Sequence, residues 1–177
     1  MKFLTVCILL FSIHGLAFGQ KVSESHRPFK YKNNFQFEAR GHGLHYSLGY
    51  ERLLINTPKW KCSAQISGAY YPPKTQLIRI WVPALLNGML SFDAHHIELG
   101  CGYIFTSDGL YEFGETNPIA RRLGFWAARL GYRYQKPDGR FLLRMAVTPF
   151  AEHLEAYAPH QRWMIYPQMA LSMGIAF

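Results

Sequence analysis

The sequence predicts an all-β protein, an antiparallel up-and-down transmembrane β-barrel of about eight strands. Three observations predict it. The chain begins with a segment typical of export. From residue 33 onward, large apolar residues alternate with small or polar ones in successive runs separated by turn residues. The last run ends on an aromatic residue, Phe177, as expected for a strand that faces lipid.

Residues 1–19 have the layout of a secretory signal peptide. Lys2 gives a basic start, residues 3–13 form an apolar run, and Ala17 and Gly19 place small residues at the −3 and −1 positions of a cleavage site. The apolar run is shorter than the roughly 20 residues of a membrane-spanning helix. We therefore expect cleavage after Gly19 and export. The alternative is an uncleaved N-terminal membrane anchor.

The remainder is expected to form one domain. Residues 20–32 are polar and basic without periodicity, which predicts a tail, and residues 33–177 suffice for one outer-membrane barrel domain. No later segment reaches 18 uninterrupted apolar residues, which argues against transmembrane helices but not against transmembrane strands. The formal net charge of +8 is scattered, so we interpret it as solvated or lumenal charge and not as a nucleic-acid surface. A second interpretation is attraction to anionic lipid head groups.

Eight strands are expected from the period-2 alternation and from the turn residues between them. One short helical pattern, residues 149–157, lies between the last two strands. The turns after the second, fourth and sixth strands are short, whereas residues 107–122 and 151–162 form long connections, an asymmetry typical of outer-membrane barrels. The predicted strands are residues 33–40, 44–54, 60–71, 78–90, 94–106, 123–135, 140–150 and 163–177.

The two faces of each predicted strand differ in size as well as polarity. In the fifth strand, Leu99 and Cys101 share one face, and Glu98, Gly100 and Gly102 share the other. A soluble barrel would carry Lys, Glu, Thr and Ser freely on its wet face. Small residues here indicate a crowded interior, and large apolar residues on the opposite face indicate lipid.

Five segments carry a resemblance to a known family: YSLGYER (residues 46–52), ELGCG (98–102), LGYRYQ (130–135), RMAVTP (144–149) and LSMGIAF (171–177). As an ordered set they resemble the small, mostly uncharacterised eight-stranded outer-membrane β-barrel proteins of Gram-negative bacteria. The resemblance implies an outer-membrane location and no known activity. It also implies that the outer-membrane assembly machinery recognises the last strand, through the outward residues Leu171, Met173, Ile175 and Phe177.

The polar faces predict a charged lumen. Three acids and five bases are expected to form a paired network, because an unpaired buried charge is very costly. Side chains fill an eight-stranded barrel or leave room for a small ligand, so an open porin is not expected. The alternatives to a network that only fills the barrel are a narrow ion path and a bound phosphate or carboxylate. The expected members are Glu38, Glu51, Lys61, Arg79, Glu98, Arg129, Arg133 and Arg144.

One arrangement has the residue types of a hydrolase. His45 and Ser47 are two apart on a predicted strand and are expected to share a face with Glu51, so the histidine could activate the hydroxyl. Membrane-embedded hydrolases resembling the lipid A deacylases use a His-x-Ser arrangement with a Glu, in a site that faces lipid. The register here points His45 and Ser47 inward, which argues against catalysis.

The sequence predicts no metal site and no cofactor. Adjacent histidines such as His95 and His96 point to opposite faces of a strand and cannot share an ion. Cys62 and Cys101 fall on the third and fifth strands, about 9–10 Å apart across the intervening strand and beyond disulfide reach. We expect two free thiols that face lipid.

The predicted function is that of an integral outer-membrane barrel with a filled lumen, in a structural or interaction role through its extracellular loops and without a defined catalytic activity. Two alternatives stay open: a membrane-embedded lipid-modifying hydrolase using His45 and Ser47, and a soluble, exported, lipocalin-like ligand-binding barrel. The expected partners are outer-membrane lipid and lipopolysaccharide, with the assembly machinery during biogenesis, and not nucleic acid.

Overall fold

The computed structural model describes residues 27–71, 78–108, 124–153 and 163–177, with the side chains of residues 78, 79, 107, 108, 152, 153, 163 and 164 excepted. The predicted signal peptide lies outside the described residues. Ten strands follow along the chain: β1 (Asn33–Arg40), β2 (Tyr46–Asn56), β3 (Trp60–Tyr70), β4 (Ile78–Phe92), β5 (His95–Asp108), β6 (Gly124–Tyr134), β7 (Phe141–Val147), β8 (Phe150–His153), β9 (Trp163–Tyr166) and β10 (Met169–Ala176).

These strands form a closed antiparallel barrel. Each of β1 to β6 pairs with the next strand along the chain, and β6 also pairs with β8. Strand β10 pairs with β7 on one side and with β1 on the other, which closes the barrel. Pro149 separates β7 from β8, and Pro167 separates β9 from β10, because proline cannot donate to a ladder. Counting each interrupted pair as one strand gives eight, which confirms the predicted fold class.

Side chains alternate between the inside and the outside of the barrel. Leu99 on β5 is 67% exposed, whereas its neighbour Glu98 is fully buried in the lumen. Along β10 every second residue is exposed. The outward positions carry large apolar side chains and the inward ones carry charges, which inverts the arrangement of a soluble protein.

The two ends of the barrel are built differently. At the end where β1 begins and β10 finishes, which we call the terminal end, residues 57–59, 93–94 and 135–140 form the connections. At the opposite end, the far end, the connection of residues 41–45 includes a 3-10 turn, Gly41–Gly43. The other far-end connections run through residues 72–77, 109–123 and 154–162, which lie outside the described residues.

Two of the differences from the predicted boundaries have clear physical reasons. The second strand begins at Tyr46 and not at residue 44, because Arg40, Gly41 and Leu44 take positive φ values of 61°, 73° and 65° that break the extended backbone. Residues 150–153 form strand β8 and not the start of a helix, since β6 and β9 supply ladder partners on both sides. The long connection therefore starts later than residue 151. Among the described residues, no helix is long and apolar enough to cross a membrane.

Candidate functional site in the filled lumen

Six ionised side chains meet in the middle of the lumen. Each occupies an inward strand position and is 2% exposed or less. They alternate in sign along a chain of five salt bridges. We call this set the ionic tier, and in order of contact its members are Glu38, Arg129, Glu98, Arg144, Glu51 and Arg133.

Glu51 on β2 accepts the most hydrogen bonds in the tier. Arg133 Nη1 donates to both carboxylate oxygens at 2.9 Å, and Arg144 Nη2 donates at 3.1 and 3.3 Å. Ser63 Oγ donates at 2.5 Å and Asn34 Nδ2 at 3.1 Å. Four donors from four other strands thus offset the desolvation of one carboxylate.

The other two carboxylates share the remaining guanidinium groups. Arg144 Nε donates to Glu98 at 2.9 Å, and Arg129 Nη1 lies 3.6 Å from the same carboxylate. Arg129 Nη2 donates to Glu38 at 2.6 Å. Gln65 Oε1 accepts a hydrogen bond from Arg129 Nη1 at 2.6 Å, which holds the second amino group of this guanidinium in place. Three carboxylates and three guanidinium groups therefore leave the tier without net charge.

Two predicted members of the network stand apart from this tier. Lys61 is buried, but its Nζ donates to Ser91 Oγ at 2.8 Å and to the Pro58 carbonyl at 3.1 Å, nearer the terminal end. The side chain of Arg79 lies outside the described residues. The structure thus brings six of the eight predicted residues together.

The segment that precedes β1 closes the terminal end of the lumen. Phe29 is 3% exposed and packs inside the barrel with Leu53 and Met89. Lys61 Nζ lies 4.7 Å, and the Arg133 guanidinium 5.6 Å, from the centroid of the Phe29 ring, in cation–π geometry. We call residues 27–32 the terminal plug. The sequence predicts a polar tail over residues 20–32, but Phe29 within it is buried inside the barrel.

Backbone and side-chain bonds hold the terminal plug in place. Phe29 N donates to Asn56 Oδ1 at 2.9 Å, and Asn56 Nδ2 returns a bond to the Phe29 carbonyl at 2.8 Å. Arg140 Nε donates to the Tyr31 hydroxyl at 3.3 Å. This hydrogen bond lowers the pKa of Tyr31 and raises the pKa of Arg140. The same cation lies 5.3 Å from the Tyr31 ring centroid.

A short polar relay lies beneath the Phe29 ring. Ser91 Oγ accepts from Lys61 and lies 2.9 Å from Nδ1 of His96, while Nε2 of His96 lies 3.0 Å from the Gln135 carbonyl. Since a carbonyl only accepts, His96 carries its proton on Nε2 and accepts from Ser91 through Nδ1. The relay satisfies each of these buried polar groups, so its chemistry is that of a structural bond chain.

A cluster of apolar side chains packs in the far half of the lumen. Trp81 stacks on Phe125 at 5.3 Å between centroids, and Phe125 meets Phe150 edge-on at 5.4 Å. Sequence reasoning missed these inward aromatics, although continuing the period-2 pattern of β4 from Asn87 would have placed Trp81 and Leu85 inside. We call this set the apolar tier, and it comprises Ala69, Tyr71, Trp81, Leu85, Ile104, Phe125, Ala127 and Phe150.

The turn between β1 and β2 folds into the barrel. His42 is fully buried, and its Nε2 donates to the Ala128 carbonyl at 2.9 Å. Its backbone N–H donates to Glu38 Oε1 at 3.3 Å, so the turn touches the ionic tier. Within the described parts of the chain, no group of three or more His, Cys, Asp and Glu side chains is placed to hold a metal ion.

The predicted catalytic arrangement of His45, Ser47 and Glu51 is not formed. His45 precedes β2 and is exposed at the far end, with its ring 5.6 Å from that of Tyr71, whereas Ser47 is 1% exposed and points inward. The expectation that they share a face is wrong because regular alternation begins only at Tyr46. The carboxylate of Glu51 is held by two arginines of the ionic tier.

The other predicted residues lie on the outside of the barrel. Leu171, Met173, Ile175 and Phe177 are all exposed on the outward face, and Phe177 stacks on Phe35 with 5.4 Å between centroids. Cys62 and Cys101 are free thiols, on β3 and β5 as predicted.

Comparison with known proteins supports the fold. The chain is similar to the N-terminal β-barrel domain of Pseudomonas aeruginosa OprF, with a TM-score of 0.54 and 8% sequence identity, over 85% of this chain and 100% of that domain. At this identity the likeness is one of architecture. No protein-family model and no curated protein matches the sequence.

Proposed function

We propose that this chain is an integral outer-membrane β-barrel protein that acts through its extracellular loops, as a structural or interaction protein and not as an enzyme or an open channel. The observation that carries the proposal is the inverted distribution of polarity. The outward face exposes Leu48, Leu99 and Met169 by 64–70%, while arginines and glutamates fill the lumen. In water, a protein with such an apolar surface would aggregate, whereas the hydrocarbon core of a bilayer stabilises it.

Aromatic side chains support a position across a membrane. Trp60, Phe92 and Tyr132 are exposed near the terminal end, and Tyr70 and Trp126 are exposed near the far end. Two aromatic girdles separated by aliphatic residues match the two interfaces of a bilayer. In the proposed orientation the terminal end, with its short turns, faces the periplasm.

The lumen supports a role without transport. The terminal plug, the ionic tier and the apolar tier follow one another along the barrel axis and fill it with side chains. In the proposal, contacts with the outside are therefore made by the far-end connections, and lipid and lipopolysaccharide surround the outward face. The assembly machinery would recognise the last strand through Leu171, Met173, Ile175 and Phe177.

Cell fractionation combined with a gel of unboiled and boiled samples tests the proposal. We expect the protein in the outer-membrane fraction and a shift in mobility on boiling, because membrane barrels stay folded in SDS at room temperature. Recovery in the soluble periplasm with no shift would contradict the proposal and favour the soluble lipocalin-like barrel. The side chains that fill the lumen already argue against an apolar ligand cavity.

One substitution separates the two barrels further. Leu99→Lys places a charge on the outward face and should destabilise a barrel in lipid vesicles by about 2–4 kcal/mol if the site lies near the bilayer midplane. A soluble barrel would tolerate the same change on its surface. Phe105→Lys, on the outward face of the same strand near the far end, provides a control position close to the interface.

A further inference from the structure

An apolar groove crosses the outside of the barrel over β10, β1, β2 and β3, with a volume of about 790 Å³. Its floor is one row of paired residues: Gln36 pairs with Gly174 on one side and with Gly49 on the other, and Gly49 pairs with Ser67. Gln36 and Ser67 point inward and the two glycines have no side chain, so backbone forms the floor. Four strands span about 14 Å.

Outward side chains from the adjacent rows form the two walls. Phe35 and Tyr50 lie on the side of the terminal end, and Phe37 and Leu48 lie on the side of the far end. The far wall drops at Gly68, where an added Cβ would meet nothing within 4 Å. The groove is thus a long, shallow, apolar channel with the shape of an extended hydrocarbon chain.

Positive charge lies beside the groove at the terminal end. Arg52 is the next outward residue on β2 after Tyr50, and it is exposed. Among the described residues around the terminal end, seven basic side chains are exposed, but only two acidic ones, Asp93 and Asp138, are exposed. The bases are Arg27, Lys30, Lys32, Arg52, Lys59, Lys136 and Arg140.

We propose that the groove is a binding site for one anionic phospholipid, with an acyl chain along the Gly174–Gln36–Gly49–Ser67 floor and its phosphate paired with Arg52. This inference rests on the proposed function. Charge complementarity selects an anionic head group, because each base near a membrane surface favours anionic lipid. The terminal end faces the periplasm in the proposed orientation, so the ligand comes from the phospholipid leaflet and not from lipopolysaccharide.

Native mass spectrometry of lipids retained by the full chain tests the head-group preference. The protein is folded into vesicles of equal parts phosphatidylglycerol and phosphatidylethanolamine and then released into mild detergent. We expect one retained lipid, with phosphatidylglycerol preferred. Arg52→Gln should reduce that preference about fivefold. Lys136→Gln removes an exposed base in the β6–β7 turn and should leave the preference unchanged.

A second pair of variants tests the groove itself. Gly68→Leu places a side chain in the open space of the far wall and should displace lipids with either head group. Gly88→Leu changes another outward glycine, on β4, whose added Cβ would lie an ordinary 3.8 Å from the Leu99 carbonyl. This control should retain lipid as the unaltered chain does.

Equal retention of both lipids by the unaltered chain, or full retention by Gly68→Leu, would overturn the lipid site. Each sample is also run on a gel without boiling. A protein that inserts and shifts on boiling but shows no preference disproves only the lipid site. A protein that fails to insert disproves the membrane barrel and the lipid site with it.

Discussion

The ionic tier and the apolar tier fill the same lumen by opposite means. In the ionic tier, charges from β1, β2, β5, β6 and β7 form an alternating chain whose members depend on one another. In the apolar tier, rings such as Trp81 and Phe125 stack through shape and area alone.

The two tiers should differ in how they tolerate substitutions. Removing one charged member leaves an uncompensated buried charge, whereas removing a ring loses contact area and leaves a cavity. The ionic tier should therefore demand complete pairing, and the apolar tier should respond in proportion to the volume lost. Four substitutions test this comparison, and each is measured by urea unfolding in lipid vesicles unless another measurement is named.

The largest effect is expected for Glu51→Gln. The amide keeps the shape of the side chain but leaves Arg133 and Arg144 without their shared carboxylate, so we expect a loss of about 3–5 kcal/mol. Ser63→Ala, which removes only one donor to the same carboxylate, should cost less. A cost below that of Ser63→Ala would mean that the tier is not held by charge pairing.

Trp81→Ala should come next, at about 3 kcal/mol, the lower limit for a large aromatic in a core. The physical reason is lost stacking on Phe125 and lost buried area, with no charge left unpaired. Trp126→Ala removes an exposed tryptophan from the outward face and provides the matched control. Equal costs for the two would contradict an apolar tier that is packed as a core.

Phe29→Ala tests how the terminal plug closes the ionic side of the lumen. Loss of the buried ring and of its contacts with Lys61 and Arg133 should cost about 2 kcal/mol. Limited trypsin digestion after Lys30 and Lys32 should then be at least about tenfold faster, since local opening governs cleavage. Phe92→Ala, an exposed phenylalanine at the same end, should digest like the unaltered chain.

The smallest effect is expected for Ser172→Ala. Ser172 Oγ donates to Glu38 at 3.2 Å, but Arg129 still neutralises that carboxylate, so the cost should be about 1 kcal/mol. Comparison with Glu51→Gln then separates the loss of a bond from the loss of a charge. A Ser172→Ala cost as large as that of Glu51→Gln would remove this distinction.

Several features were predictable because they depend only on local periodicity. Alternation placed Glu38, Glu98 and Arg144 on inward faces, and it placed Leu171 and Ile175 on outward ones. The strands predicted from this alternation also placed β4 between Cys62 and Cys101, whose thiols are free. His45 was misplaced, since its orientation follows from positive φ values in the preceding turn and not from a pattern.

By itself, the sequence determined the number of barrel strands, their order and the face that most side chains within the strands occupy, because a period of two residues is a local property. Only the tertiary structure decided which arginine meets which glutamate, that Lys61 lies apart from the ionic tier, and that Phe29 enters the barrel. Those arginine–glutamate contacts join residues up to 93 positions apart, as between Glu51 and Arg144. They depend on the register at which the sheet closes and on side-chain length across the lumen, and no local pattern fixes either quantity.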